Sequence, residues 1–388
     1  MITLRGMAWG HQRGIGCLRA VSTVYTEANP EVSITWDSRS LQEFEDVPIT
    51  ALADRYDLIA MDHPYVGQAR ESGALVPLEK VMSTGSLSAQ RAASAGPSYA
   101  SYTWAGGQWA VAMDAAAQTT AYRPDLLGEL GRSAPPRTWE GVADLLGSLP
   151  PQRKAVIPAN PTHLLGSLLT LCSQQAGTEE GWLGHHGLHP DVAVPAVARL
   201  RLLLALADPM SWDTDPIRVL EAMRGGDEIA YSPIVFGYVN YSRVDSAGHQ
   251  VRFADIPSLD GGPAGSLLGG VGLTLSSRCA EPEAAARFLE YVVSRECQTG
   301  EYVSAGGQPG HRAAWTDPAI DASCGNFFSG TLSTLDNAFV RPRDPAYPSV
   351  HHRAGPEVHR LFREGADAGE IVQCFNDICL TTYASAEL

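Results

Sequence analysis

At 388 residues, 44% hydrophobic and 18% charged, the chain is too long for one ordinary core and predicts two domains of roughly 150 to 200 residues with a cleft between them. No apolar run approaches the ~18 residues of a membrane span, so no membrane insertion is expected. A formal charge of −15 repels phosphate backbones at long range, which argues against nucleic acid as a partner.

The predicted elements open as α/β. "ITLRGMAW" alternates like a strand, and "IGCLRAVSTVYTEANP" places Ile15, Leu18, Val21 and Tyr25 at helical spacing before Asn29-Pro30 stops it. "VSITWD" is a second strand and "QEFEDVPITALADR" a second, irregular helical stretch. "YDLIAMDHP" is a nearly continuous apolar strand of the kind found inside parallel sheets. Such units place ligand loops at the carboxyl ends of their strands. Here Trp9, His11 and Arg13 follow the first strand, Asp37 and Arg39 the second, and Asp62 and His63 the third.

Further along, residues 106–146 read Gly107, Trp109, an apolar strand, then Tyr122-Arg123-Pro124-Asp125-Leu126 and Pro136-Arg137-Thr138-Trp139-Glu140. Thr138 is a helix N-cap with Glu140 in the first turn. "RGGDEIAYSPIVFGY" supplies a strand, and "LLGGVGLTLSSRCAEPEAAARFLEYVVSRECQTGEYVSAGGQPGHRAA" a returning strand, a helix and a terminal Gly-rich turn. This order resembles the bacterial extracellular solute-binding proteins, family 1, the sugar-binding subunits of ABC importers.

The resemblance spans about residues 2 to 385 and implies a two-lobed, type II periplasmic-binding-protein fold, each lobe a mostly parallel sheet flanked by helices. Lobe one would hold 1–112 and 264–312, and lobe two 115–262 and 315–388. Hinge crossings would fall near 112–116, 260–266 and 310–316. The ligand would sit where the lobes close. Asp114, Tyr231, Tyr238 and Tyr241 would serve lobe two, with Gln118, Asn160 and His163. Lobe one would add Gly269, Gly270, Gln308, His311 and Arg312. Tyrosine and tryptophan suit sugars and polyols, because a ring face packs on C–H surface while edge groups hydrogen-bond hydroxyls. Arg13, Arg39 and Arg312 could instead fork onto an acid.

Two functions lead, ahead of a sensor or protein-interaction role. The one needing fewer assumptions is a clamp that captures a small polar ligand (a sugar, polyol or sugar acid) by hinge closure, with an ABC permease as partner if the protein is exported. The other is a cofactor-independent lyase, cyclase or isomerase using His11, Asp62 and His63 as acid and base groups. Adjacent residues on a strand point apart, so Asp62 and His63 act together only if the strand has ended at 62.

Other motifs are weak. "GIGCLR" lacks the third glycine of a dinucleotide fingerprint, and neither a P-loop nor a nucleophile elbow is present. "GHHGLHPD" and "HHRAGPEVH" match no zinc spacing and read as exposed, loop-like histidines, so neither metal nor cofactor is expected. The seven widely spaced cysteines read as small hydrophobes rather than a disulfide framework. "MITLRGMAWG" carries no secretion signal, which predicts a cytoplasmic protein if that start is native and an extracytoplasmic one if a leader was trimmed. A monomer is expected.

Overall fold

A computed structural model of the chain describes residues 1–39, 49–244 and 248–386. Strand β1 (Ile2–Trp9) lies between β2 (Val32–Arg39) and β3 (Leu58–Met61), parallel to both. Their alternation builds two apolar layers, because successive side chains leave opposite faces of a strand. Leu4 and Ala8 of β1 join Leu58 and Ala60 of β3 on one face, against helix α1 (Cys17–Ala28). Met7, Ile59 and Met61 pack on the other, with Tyr102 and Trp109. Of the helical stretch expected at 42–55, residues 49–53 form a helix; residues 42–48 lie outside the described part of the chain.

Strand β4 (Val111–Tyr122) then runs for 12 residues. Its first half pairs antiparallel with β8 (Leu268–Leu275), which in turn pairs antiparallel with β3. Its second half pairs antiparallel with β6 (Ile229–Phe236) and with β7 (Arg252–Ala254). Strand β5 (Lys154–Ala155) adds to β6 in parallel. The sheet is therefore mixed. Parallel pairing describes β2–β1–β3 and β5–β6, whereas β4 and β8 run antiparallel to each other and to their other described partners.

A second core is built on helices α2 (Trp139–Ser148), α3 (Pro161–Ala176) and α4 (Pro190–Leu206). As expected, Thr138 caps α2, its hydroxyl accepting from Gly141 N at 3.1 Å. Leu164, Leu168 and Leu200 share a core with Val350, Val358 and Phe375 from the carboxyl-terminal helices α5 (Tyr347–Glu364) and α6 (Ala368–Ala386). The "HHRAGPEVH" segment is thus helical, not a loop: Tyr347, Val350, Ala354, Val358 and Leu361 form a buried stripe that carries the helix past Pro356.

The segment entering α5 is unusual in its route. Phe339 N donates to Ser266 O and Phe339 O accepts from Leu268 N, so the chain starts beside β8. It then passes residues 100–103, where Arg343 Nη1 donates to the carbonyls of Ala100 (2.6 Å) and Thr103 (3.0 Å), before it turns into α5. Arg341 is carried along this strap. All seven cysteines are free thiols, five of them buried. Among the described residues no helix is long and apolar enough to cross a membrane.

Candidate functional site

The end of β1 forms the first wall. His11 caps a π-helical turn over Gln12–Gly16, its Nδ1 accepting from Arg13 N at 3.2 Å. Trp9 is seated against Gly14, where any Cβ would come within 2.5 Å of the indole. Arg13 points inward and is almost fully buried. Its Nε and Nη2 donate to the two oxygens of Asp114 at 2.8 and 2.5 Å, and its Nη1 donates to Gly237 O at 2.9 Å. The guanidinium also lies 4.6 Å from the ring centre of Tyr238. Burial disfavours the Arg13 cation, but the Asp114 carboxylate more than offsets this and holds it protonated above the ordinary guanidinium range. Arg13 therefore ties the end of β1 to β4 and to the residue after β6. His11 meets Tyr238 edge-on at 5.3 Å, and burial, with Arg13 nearby, lowers its pKa to about 4.

The end of β3 forms the second wall. The strand stops at Met61, so Asp62 and His63 do meet: Asp62 Oδ1 accepts from His63 N at 2.8 Å and lies 3.2 Å from His63 Nδ1. The other oxygen, Oδ2, accepts from Arg341 Nη2 at 2.6 Å. Burial pushes the Asp62 carboxyl up, yet Arg341 and His63 together bring it well below the usual carboxylate range.

Helix α3 supplies the facing wall. Asn160 Oδ1 accepts from His163 N at 3.0 Å, capping a turn that begins with Pro161. His163 stands edge-on to Phe236, 6.1 Å between ring centres. His351, from α5, closes the gap beside it, and neither of its ring nitrogens has a hydrogen-bond partner among the described residues. Burial lowers His163 to about 4 and His351 to about 3, so both are neutral at pH 7.

These walls enclose two connected spaces that open to solvent. The inner one, about 760 Å³, is floored by Trp9, Arg13, Phe236 and Tyr238, with Gly269, Gly270 and Val271 along one side. Gly270 has φ +94°, and a Cβ there would come within 2.4 Å of Asp114 O. The outer one, about 1340 Å³, is lined by Tyr65, Asn160, Asp215 and His352. Asp62, Thr162, His163, Arg341 and His351 border both.

Of the residues expected from sequence, Trp9, Arg13, Asp62, Tyr238, Gly269, Gly270, Asn160 and His163 line these spaces. Asp114 lies behind Arg13, and His11 beside Tyr238. The others serve the scaffold. Asp37 is exposed and accepts from the Tyr56 hydroxyl and Arg5, and Arg39, paired in register with Trp9, does not line either space. Tyr231 is fully buried in the second core, and Tyr241 is buried with its hydroxyl on Glu221. Gln308 braces Ala115 O and Val239 N, while Gln118 accepts from Thr170. His311 caps a short helix, and Arg312 forms an exposed pair with Asp336. His63 is fully buried behind Asp62, 6.3 Å from Tyr102, and burial lowers it to about 4. The His11, Asp62 and His63 trio therefore does not converge on one point of the cavity.

Thr162, Phe236, Arg341 and His351 were not anticipated. The helical stripe of α5 could have placed His351 on a buried element. Nothing in "NAFVRPRDPAYP" marks Arg341, which meets Asp62 from 279 positions away.

Residues 24–319 match the family model described as bacterial extracellular solute-binding protein. The chain belongs to this family. The solute-binding protein also superposes on solved structures over nearly its whole length. Maltose-bound MalE3 of T. maritima matches with a TM-score of 0.83 at 18% identity, covering 98% of this chain and 99% of that one. A solute-binding protein of Agrobacterium radiobacter K84 in complex with ribitol gives 0.81 at 19% identity, covering 98% of each chain. One from Agrobacterium vitis S4 with bound D-mannitol gives 0.78 at 14% identity, covering 100% and 99%. These likenesses show the fold: a two-lobed α/β clamp. A search of curated protein sequences found no significant match.

Proposed function

We propose that this solute-binding protein captures a small polyhydroxylated molecule (a sugar, a polyol or a sugar acid) between its lobes and delivers it to an ABC permease outside the cytoplasm. The observation that carries this reading is the composition of the inner cavity. Trp9, Phe236 and Tyr238 line it, and the polar groups around it come from separate walls, Asp62 from one and His163 and His351 from another. Apolar C–H faces and hydroxyl edges of a sugar or polyol match such a wall. The ligands of the structural relatives, maltose, ribitol and D-mannitol, are of this class.

The lobes in this reading are 1–112 with 264–312 and 115–262 with 315–388, hinged near 112–116, 260–266 and 310–316. Strand β4 supports a crossing there, since its first half pairs with β8 and its second half with β6 and β7. Both walls come from one chain, so a monomer suffices. A thermal-shift screen of sugars, polyols and sugar acids tests the proposal. A bound solute should raise the melting temperature in proportion to the logarithm of its concentration, and Trp9→Ala should abolish the shift. No stabilisation by any of them, with a chemically different molecule retained in native mass spectrometry, would overturn it.

A further inference from the structure

Two guanidinium groups line the cavity, and each meets a carboxylate. Arg13 is committed to Asp114 and Gly237. Arg341 stands in the wall shared by the two spaces, with its side chain 11% exposed and that of Asp62 18%. The Asp62–Arg341 pair thus offers an acceptor edge and a donor edge side by side with no net charge of its own. Two neighbouring hydroxyls fit that edge, one donating to Asp62 and the other accepting from Arg341. A ligand carboxylate drawn to Arg341 would also meet Asp62, a like charge beside it in the same wall. Asp215 at the outer mouth adds another negative group, and His163 and His351, neutral at pH 7, do not offset it.

We infer that Asp62 is a specificity-determining residue of the cleft, selecting uncharged polyhydroxylated ligands over acids with the same carbon skeleton. This rests on reading the cavity as a site for such ligands and narrows it. Asp62 acts through charge, so the isosteric Asp62→Asn should change the preference while its side-chain oxygen still caps His63 N.

The test is titration calorimetry at pH 7.5 with matched probes: ribitol against ribonate, mannitol against mannonate, maltose against maltobionate. The wild-type protein should bind the neutral member of at least one pair about tenfold or more tighter than its acid. Asp62→Asn should move that ratio toward the acid by about tenfold, and adding Arg341→Met should cancel the gain. Equal wild-type affinity for acid and neutral member would overturn the inference, and needs no variant. So would an unchanged ratio in a folded Asp62→Asn protein. Binding of no member of any pair would be a different result, overturning this inference, while the broader sugar and polyol reading falls only if the full screen also finds no ligand.

Discussion

Two arginine–carboxylate pairs of the same chemistry stand at the cavity, one at the end of β1 and one at the end of β3, and have different duties. Arg13 and Asp114 are 4% and 0% exposed, joined by two hydrogen bonds, with a third bond from Arg13 to Gly237. Arg341 and Asp62 are joined by one described bond, and both border the open spaces. Burial decides which pair is a structural pin and which borders a space that a solute can enter. Residue type does not.

Removing one member of each pair should separate the two duties most clearly. Arg13→Ala strands Asp114 in a dry site and should destabilise the fold by about 3–5 kcal/mol, read by denaturant unfolding. Gly270→Val should cost about 2–3 kcal/mol in the same assay, since φ +94° and the nearby Asp114 carbonyl both oppose a side chain. Arg341→Met should cost only about 1–2 kcal/mol, because its partner reaches solvent, yet weaken solute binding by about tenfold or more in calorimetry. Were Arg341→Met as destabilising as Arg13→Ala, the distinction between pin and wall would collapse.

Acid should act on the wall before the pin. His11, His63, His163 and His351 all have folded pKa values below the ordinary 6.5, so the unfolded chain binds their protons first as pH falls. Stability is then full above pH 6.5 and declines toward pH 4. The Asp62 contribution, also from a depressed pKa, is present above the ordinary carboxylate value and lost below it. Scanning calorimetry should show a melting temperature that falls from pH 6.5 to 4, with a shallower fall in His163→Gln and His351→Gln. The smallest effect belongs to Arg312→Ala. Its pair with Asp336 is solvated, so about 0–1 kcal/mol and unchanged solute affinity are expected.

The elements themselves were legible in the sequence. Period-two alternation in 2–9 and the apolar run 58–61 yielded β1 and β3, helical spacing yielded α1, and Thr138 marked the start of α2. The order of segments identified the family. The lining of the cavity was legible in part: strand-end residues Trp9, Arg13 and Asp62 reach it, as do Gly269 and Gly270. Tyr231 and Gln308, equally plausible by type, are buried in the scaffold.

What the sequence determined by itself is mostly local, where strands and helices begin and which faces are apolar, and the order of its segments adds that two lobes form around a cleft. Only the tertiary structure decided that Arg13 is a pin, that Arg341 reaches Asp62 along a strap passing residues 100–103, and that His351 faces the cavity from a helix. Periodicity and capping act over a few residues, whereas a hydrogen bond between distant segments depends on packing that no single segment encodes. Whether a polar group is left for a solute depends on those long-range bonds.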